Sequence, residues 1–219
     1  MSNSRWERFA PLTGVVFFVL ILIVFILDNN TPNADDSTSS VVTYWTDHSG
    51  KATTAGLVGA FAVIFLLWFA GSLRGALRRA EGGEGRLSAL AFAGLVVVST
   101  AGAIGSNLDF ILGTEADDLH SGHADFVIQT LSALDEDFFF PFVAGLAVTM
   151  FATALCAFRF GALPRWLAWV SLVIGIVLVT PLGFVGFLAA IVWVVVVSIV
   201  LYLRGREGAA APAPTAGTP

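Results

Sequence analysis

The residues with the clearest potential for chemistry are two histidines three positions apart, His120 and His123. In a helix this spacing places both imidazoles on one face, and Asp117 adds a nearby carboxylate. Imidazole nitrogens and carboxylate oxygens are zinc ligands, so the pattern indicates a possible divalent-metal site and a metal-dependent enzyme. The Glu of the H-E-x-x-H motif is missing, and the segment also fits a pair of titrating histidines or a solvated polar loop.

A second group of candidates consists of polar residues beside long apolar segments. Asn107 and Asp109 lie near the end of one such segment, whereas Gln129, Asp135 and Asp137 precede the next one. Charge is costly in hydrocarbon, so these residues are candidates for a ligand or ion site. If Asp109 faced one of the other acids, repulsion would raise the pKa of one carboxyl group and create a proton or cation site. Alternatively, the acids that precede the next segment cap its helix.

Two further patterns place polar side chains on single helix faces. Ser99, Ser106 and Asp109 share approximately one face, which predicts a polar stripe directed into a helix bundle. Tyr44 and His48 are four positions apart in a segment whose apolar residues recur at helical spacing. This segment predicts an amphipathic helix at the outer interface, continuous with the next apolar segment. Its Tyr–His pair fits either a ligand contact or an aromatic anchor beside a solvated histidine.

The composition decides which solvent surrounds these candidates. Of the 219 residues, 57% are hydrophobic and 12% are charged, whereas soluble domains carry about 25% charged residues. A water-soluble globule is therefore excluded. The single cysteine, Cys156, lies in an apolar run and is predicted to be a small buried residue. No nucleotide-binding or catalytic-triad motif is present, and we expect no nucleic-acid partner.

Six apolar segments are predicted to cross the membrane, because about 20 helical residues span about 30 Å of hydrocarbon. They are 11–27, 55–73, 87–112, 138–158, 163–179 and 182–203. Pro181 interrupts the last long apolar run and favours two helices in a hairpin over a single helix. Segments 28–54 and 113–137 are then external loops, and 208–219 is predicted to be a disordered tail because it is rich in Ala, Pro, Gly and Thr.

The distribution of basic residues predicts the orientation. Every arginine lies in the N-terminal segment, the second connection, the fourth connection or the C-terminal segment, and Lys51 is the only Lys or Arg on the other side. Because cytoplasmic loops are enriched in Lys and Arg, both termini are predicted to be cytoplasmic and the acidic loops external. The sequence thus predicts an all-α, multi-pass, six-helix protein of the plasma membrane, in contact with the lipid bilayer.

Several short motifs carry a resemblance to a known group of proteins. They are Tyr44–His48, Phe65–Phe69, Leu73–Arg74, Leu77–Arg78, Ala80–Gly82 and Leu163–Trp169. Together they resemble a large family of actinobacterial polytopic integral membrane proteins of uncharacterised function. The resemblance spans most of the chain from Tyr44 onward. It implies a polytopic membrane fold and brings with it no reaction, ligand or catalytic residue.

Three functions are compatible with these observations. The sequence favours a non-enzymatic module that binds either a membrane or envelope protein or a small lipophilic ligand at the outer leaflet. The acids Asp109, Asp135 and Asp137 leave open a proton- or cation-coupled transporter of small solutes. The histidines His120 and His123 leave open a metal-dependent enzyme at the external face. The oligomeric state is not determined by the sequence.

Overall fold

The computed structural model describes residues 9–28, 31–33, 36–118, 122–137 and 139–210, without the side chains of 116–118, 122–124, 135–137 and 207–210. Over these ranges the chain is helical and contains no strand, which confirms the all-α prediction. A 3₁₀ turn at Ala10–Leu12 precedes the first helix. The helices are α1 (Thr13–Leu27), α2 (Thr38–Glu81), α3 (Arg86–Asp118), α4 (Gly122–Asp137), α5 (Phe140–Phe160), α6 (Arg165–Leu178) and α7 (Gly183–Ala210).

Five of the described helices are long and apolar enough to cross a membrane: α1 together with its 3₁₀ turn, α2, α3, α5 and α7. The predicted span 163–179 corresponds to α6, which has 14 residues and is therefore about 21 Å long. That length is less than the roughly 30 Å of the hydrocarbon core. A multi-pass membrane protein is supported by these helices, whereas the sixth span and the location of the termini stay predictions.

Helix α2 is longer than a membrane crossing requires. Its 44 residues correspond to about 66 Å, and its apolar part is the predicted span 55–73. The amphipathic helix predicted around Tyr44 is the first part of α2 and continues into the span without a break. Ser37 caps the helix, since its side chain accepts a hydrogen bond from the Ser40 backbone N–H. Much of segment 28–54 is therefore helical.

Segment 113–137, for which the sequence also fits a polar loop, is instead mostly helical. Helix α3 continues to Asp118 and α4 begins at Gly122. The reason is tertiary: Ile128 of α4 is fully buried against Val41, Trp45 and Leu112. Burial of an apolar face stabilises a helix too short to persist alone in water. We call α4 and the part of α2 before residue 55 the cap.

The bundle is held together by close backbone contacts at glycines. A Cβ atom on Gly56 of α2 would lie 2.7 Å from the backbone nitrogen of Phe110 on α3, and a Cβ on Gly145 of α5 would lie 2.6 Å from the Gly94 carbonyl oxygen on α3. Small residues allow such approach in membrane bundles, where dispersion contacts replace the hydrophobic effect. The Thr149 hydroxyl adds a hydrogen bond of 3.2 Å to the Ala91 carbonyl across the α3–α5 contact.

The two ends of the bundle differ in charge. One end of the bundle carries Asp28 and Asp109, and we call it the acidic end. Helices α1 and α3 finish there, and helices α2, α5 and α7 begin there. The opposite end, the arginine end, carries the arginines of the described chain, which are Arg74, Arg78, Arg79, Arg86, Arg159, Arg165, Arg204 and Arg206. The structure thus keeps the separation of charges that the sequence predicts.

At the arginine end, a carboxylate fixes the turn between α2 and α3. Glu81 accepts hydrogen bonds from the backbone N–H groups of Leu87 and Ser88, at 2.8 and 2.9 Å. Burial opposes ionisation of Glu81, but these backbone hydrogen bonds outweigh it, and the pKa of Glu81 lies below its ordinary value. Glu81 follows the predicted span 55–73 of α2 by eight residues and lies outside it. It therefore caps the first turn of α3.

The break between α6 and α7 falls where Pro181 predicts it, between Leu178 and Gly183. A Cβ atom on Gly183 would lie 3.7 Å from the Phe139 ring and 3.8 Å from Val143, so the turn reaches the first turn of α5. Helix α7 continues to Ala210, since Ala is a strong helix former. The rest of the predicted tail, 211–219, lies outside the described residues.

Candidate ligand cavity

A cavity of about 250 Å3 lies within the bundle, in the half nearest the acidic end. Five helices contribute to its wall: α1, α2, α3, α5 and α7. The residues that line it on α3 extend from Leu95 to Asp109, a rise of about 21 Å. The lining of the cavity thus extends over a length comparable with that of an extended chain-like molecule.

The polar residues of the wall are confined to one end of the cavity. Asp28, Thr31, Ser106 and Asp109 line it at the acidic end. The remaining wall is apolar and consists of Phe17, Ile21, Val24, Phe25, Gly59, Ala62, Val63, Leu66, Leu95, Val98, Gly102, Gly105, Phe142, Leu146, Phe187, Ala190, Ile191 and Val194. An apolar chamber with a few polar groups that fix orientation is the usual form of a small-molecule site.

Glycines make room for the cavity along α3. A Cβ atom on Gly105 would meet no atom within 4 Å, although this residue lines the cavity. One turn deeper, a Cβ on Gly102 would lie 3.1 Å from Val63. On the facing helix, a Cβ on Gly59 would collide with the Ser106 hydroxyl. A larger side chain at Gly105 would therefore occupy the cavity without displacing backbone.

Two residues predicted as a pair, Tyr44 and His48, lie at the acidic end of the cavity. The Tyr44 side chain is hydrogen-bonded to that of Thr31 and lies within electrostatic range of Asp28 and Asp109. The His48 ring stacks on Tyr44 at 4.5 Å with an interplanar angle of 18°. The structure thus brings Tyr44, His48 and Asp109 into one region, a proximity that their separate motifs do not predict.

The state of the Tyr44 phenol follows from these neighbours, since Tyr44 belongs to the cap outside the membrane span. Burial is the largest cause and raises the pKa of Tyr44, and the negative charges of Asp28 and Asp109 raise it further. The hydrogen bond with Thr31 opposes this rise without reversing it. Tyr44 is therefore neutral at physiological pH and its hydroxyl can donate a hydrogen bond.

The side of the cavity between α1 and α7 is closed by aromatic rings. Phe25 of α1 meets Phe187 of α7 edge-on at 6.4 Å, and Phe187 also contacts Phe142 of α5 at 5.8 Å. Helix α1 buries only Gly14 and Phe17, while half of its other apolar side chains are exposed. One wall of the cavity is thus a peripheral helix whose contact with α7 near the acidic end is made by phenylalanine side chains.

The predicted polar stripe on α3 is only partly used by the cavity. Ser106 and Asp109 line it, whereas Ser99 is buried elsewhere and its hydroxyl has no hydrogen-bond partner among the described residues. Asn107 is exposed and does not line the cavity. Gln129 belongs to the cap, where its side-chain oxygen accepts a 2.6 Å hydrogen bond from Thr38. Asn107 and Gln129 therefore contribute to other surfaces.

The side chains of Asp117, His120, His123, Asp135 and Asp137 lie outside the described residues. Over the described part of the chain, no group of three or more His, Cys, Asp or Glu side chains is close enough to hold a metal ion. The metal site and the second acid of the transport hypothesis thus stay predictions.

Sequence reasoning missed Asp28, Thr31 and Gly105 as members of a site. Asp28 directly follows the first apolar segment, which was a usable signal, because an acid at membrane depth is a candidate site residue. Nothing in the local sequence distinguishes Gly105, which lines the cavity, from Gly71, which faces open space elsewhere.

Comparison of the chain with protein-family models, curated proteins and solved structures found no match. Inferences about function therefore depend on the cavity and its surroundings.

Proposed function

We propose that this protein is a multi-pass plasma-membrane protein that binds a small lipophilic ligand from the outer leaflet in the cavity between α1, α2, α3, α5 and α7. The observation that carries the proposal is the polarity of the cavity wall. It is apolar along its depth and polar only at the acidic end. This matches an amphiphile whose chain lies in the bundle and whose polar head lies near the water.

The orientation of the cavity belongs to the same proposal. The arginine end faces the cytoplasm by the positive-inside rule, so the acidic end and the cap face outward. Both termini are then cytoplasmic and α6 supplies a sixth, short crossing. Two features support a crossing by α6: it is apolar, and the turn after it lies beside the first turn of α5. The cavity therefore opens at the level of the outer leaflet.

The route of entry follows from the peripheral position of α1. A ligand dissolved in the bilayer reaches the cavity between α1 and α7, where Phe25 and Phe187 form the wall. Side-chain rotation of these two residues opens a path that leaves the backbone hydrogen bonds of both helices intact. The exposed apolar side chains of α1 support such lateral access, because in a bilayer they would face lipid.

The experiment uses a photoactivatable dodecanol probe with the purified full-length protein in phosphatidylcholine nanodiscs. Gly105→Leu fills the cavity, because a Cβ at this position meets no atom. Gly71→Leu is the matched control: its Cβ also meets no atom, but Gly71 does not line the cavity. We expect Gly105→Leu to reduce labelling about tenfold, equivalent to about 1.4 kcal/mol, and Gly71→Leu to leave it unchanged. Equal labelling of both variants and the unmodified protein would refute the proposal.

A second candidate function is proton- or cation-coupled transport of a small solute. It is favoured by the presence of two carboxylates, Asp28 and Asp109, at one end of the same cavity. The involvement of Asp135 or Asp137 stays a hypothesis. Transport predicts solute flux into proteoliposomes that Asp109→Asn reduces, whereas simple ligand binding predicts no flux. A metal-dependent enzyme at His120 and His123, and membership of the actinobacterial membrane-protein family, stay hypotheses.

A further inference from the structure

We infer that the cavity selects cationic amphiphiles, with an alkyl chain along the apolar wall and an ammonium head group between Asp28 and Asp109. The inference rests on the proposed function, because it names the class of ligand for the same cavity. It goes further by predicting the sign of the head-group charge.

The charge of the wall is the first observation. Both ionisable residues that line the cavity are acids, Asp28 and Asp109, and none of the described lining residues is Lys, Arg or His. Carboxylates form short, charge-assisted hydrogen bonds with ammonium groups, about twice as strong as neutral ones. Beside hydrocarbon the low effective dielectric strengthens this attraction, and it equally strengthens the repulsion of an anionic head group.

The second observation is a buried hydroxyl at the same end. Ser106 lines the cavity and is only 9% exposed, and its hydroxyl has no hydrogen-bond partner among the described residues. Ser106 lies three positions before Asp109 on α3, so both side chains are on one helix face. An ammonium group near Asp109 would donate to the Ser106 oxygen, which lies on the cavity wall.

The shape of the cavity restricts the apolar part of the ligand. Below Ser106 the wall consists of side chains such as Val98, Leu66 and Val194, with no polar residue among those described. Gly105 and Gly102 provide the space beside α3. A long chamber of this kind fits one extended chain better than the two chains of a glycerophospholipid.

The test compares three amphiphiles that differ only in their head groups: dodecylamine, dodecanol and dodecanoate. Each competes with the photoactivatable dodecanol probe for the full-length protein in phosphatidylcholine nanodiscs. Displacement of the probe from the unmodified protein is compared with its displacement from the Gly105→Leu variant. This comparison corrects for probe that binds outside the cavity. We expect dodecylamine to compete at least about tenfold better than dodecanol, and dodecanoate to compete least.

Charge-neutralising variants identify the residues responsible. We expect Asp28→Asn and Asp109→Asn each to reduce the advantage of dodecylamine over dodecanol about tenfold. Asp47→Asn is the matched control, because Asp47 is an exposed acid of the cap that does not line the cavity. The comparison of head groups on the unmodified protein needs no variant, so it stands even if an Asn variant fails to fold.

The outcomes separate this inference from the function on which it rests. Equal competition by dodecylamine and dodecanol, or stronger competition by dodecanoate, would overturn the selectivity for cations while leaving the lipophilic cavity in place. Labelling that Gly105→Leu does not reduce would overturn both. An advantage of dodecylamine that persists in Asp28→Asn and Asp109→Asn would overturn the role of these two carboxylates.

Discussion

Gly56 and Gly71 lie on the same helix, α2, but in opposite surroundings. A Cβ atom on Gly56 would meet backbone atoms of Ser106 and Phe110 at 2.5 and 2.7 Å, whereas a Cβ on Gly71 would meet nothing within 4 Å. The backbone of α3 cannot yield as a flexible side chain would. These two glycines therefore test whether the α2–α3 contact is as close as the structure shows.

We expect Gly56→Ala to destabilise the protein by about 1–3 kcal/mol, the usual cost of overpacking. Gly71→Ala should be neutral or stabilising by up to about 1 kcal/mol, because Ala favours the helix more than Gly does. Thermal unfolding midpoints in the same detergent provide the measurement. Equal midpoints for the two variants would show that α2 and α3 are farther apart.

Glu81 provides a test that depends on pH. Because the pKa of Glu81 is lowered in the folded protein, its charged form stabilises the fold above the ordinary value of 4.5. That contribution is lost as the pH falls through the lower pKa of the folded state. We expect Glu81→Gln to unfold at a lower temperature than the unmodified protein at neutral pH. The difference should narrow as the pH falls below 4.5.

The matched control for Glu81 is Glu84→Gln, in the same turn, because Glu84 is exposed and the backbone N–H groups of Leu87 and Ser88 donate to Glu81 instead. Its unfolding temperature should follow that of the unmodified protein across the same pH range. If the unfolding temperatures of Glu81→Gln and the unmodified protein differ by the same amount down to acidic pH, the Glu81 carboxylate does not cap the first turn of α3.

At the scale of elements, the cap depends on the docking of α4. Ile128 is fully buried in the cap cluster, whereas its neighbour Val127 is 46% exposed. We expect Ile128→Ala to destabilise the docked helix by about 2–5 kcal/mol and to increase amide hydrogen exchange in α4. Val127→Ala should leave the exchange rates of α4 unchanged. If the amide hydrogens of α4 exchange at the same rate in both variants, the contact of Ile128 with the cap cluster does not hold α4 in place.

Local sequence signals predicted some elements better than others. The long apolar runs identified α1, α3, α5 and α7, because length and hydropathy are local properties. The pattern around Tyr44 also predicted the start of α2. Helix α4 was harder to recognise, since the buried apolar residue that docks it, Ile128, packs on α2 and α3, which are distant in sequence.

The sidedness of the whole molecule can be tested through its only lysine. Lys51 is exposed on the cap, and the proposed orientation places it outside and the N-terminal amine inside. A membrane-impermeant amine-reactive biotin reagent should therefore label the unmodified protein on intact cells but not Lys51→Arg. Permeabilised cells provide the control for reactivity of the N-terminal amine. Labelling of Lys51→Arg on intact cells would place the N-terminus outside.

The number of spans is a separate question. A tag placed after Pro219 should be protected from protease on intact cells if α6 crosses the membrane. Five crossings would instead expose the tag, because an odd number places the termini on opposite sides. Protease cleavage of the tag on intact cells, together with external labelling of Lys51, would therefore remove α6 from the set of crossings.

The sequence alone predicted a multi-pass membrane protein, elements that are helices, and arginines that lie at one end of the bundle. Apolar runs and their flanking charges contain this information locally. Only the tertiary structure decided that α1, α2, α3, α5 and α7 leave a cavity, and that Asp28, Tyr44 and Asp109 lie at one end of it. Asp28 follows α1, Tyr44 lies on α2 and Asp109 lies on α3, and their proximity depends on how closely glycines such as Gly56 let the helices approach. Such packing depends on contacts between distant segments, which residue spacing within one segment does not encode.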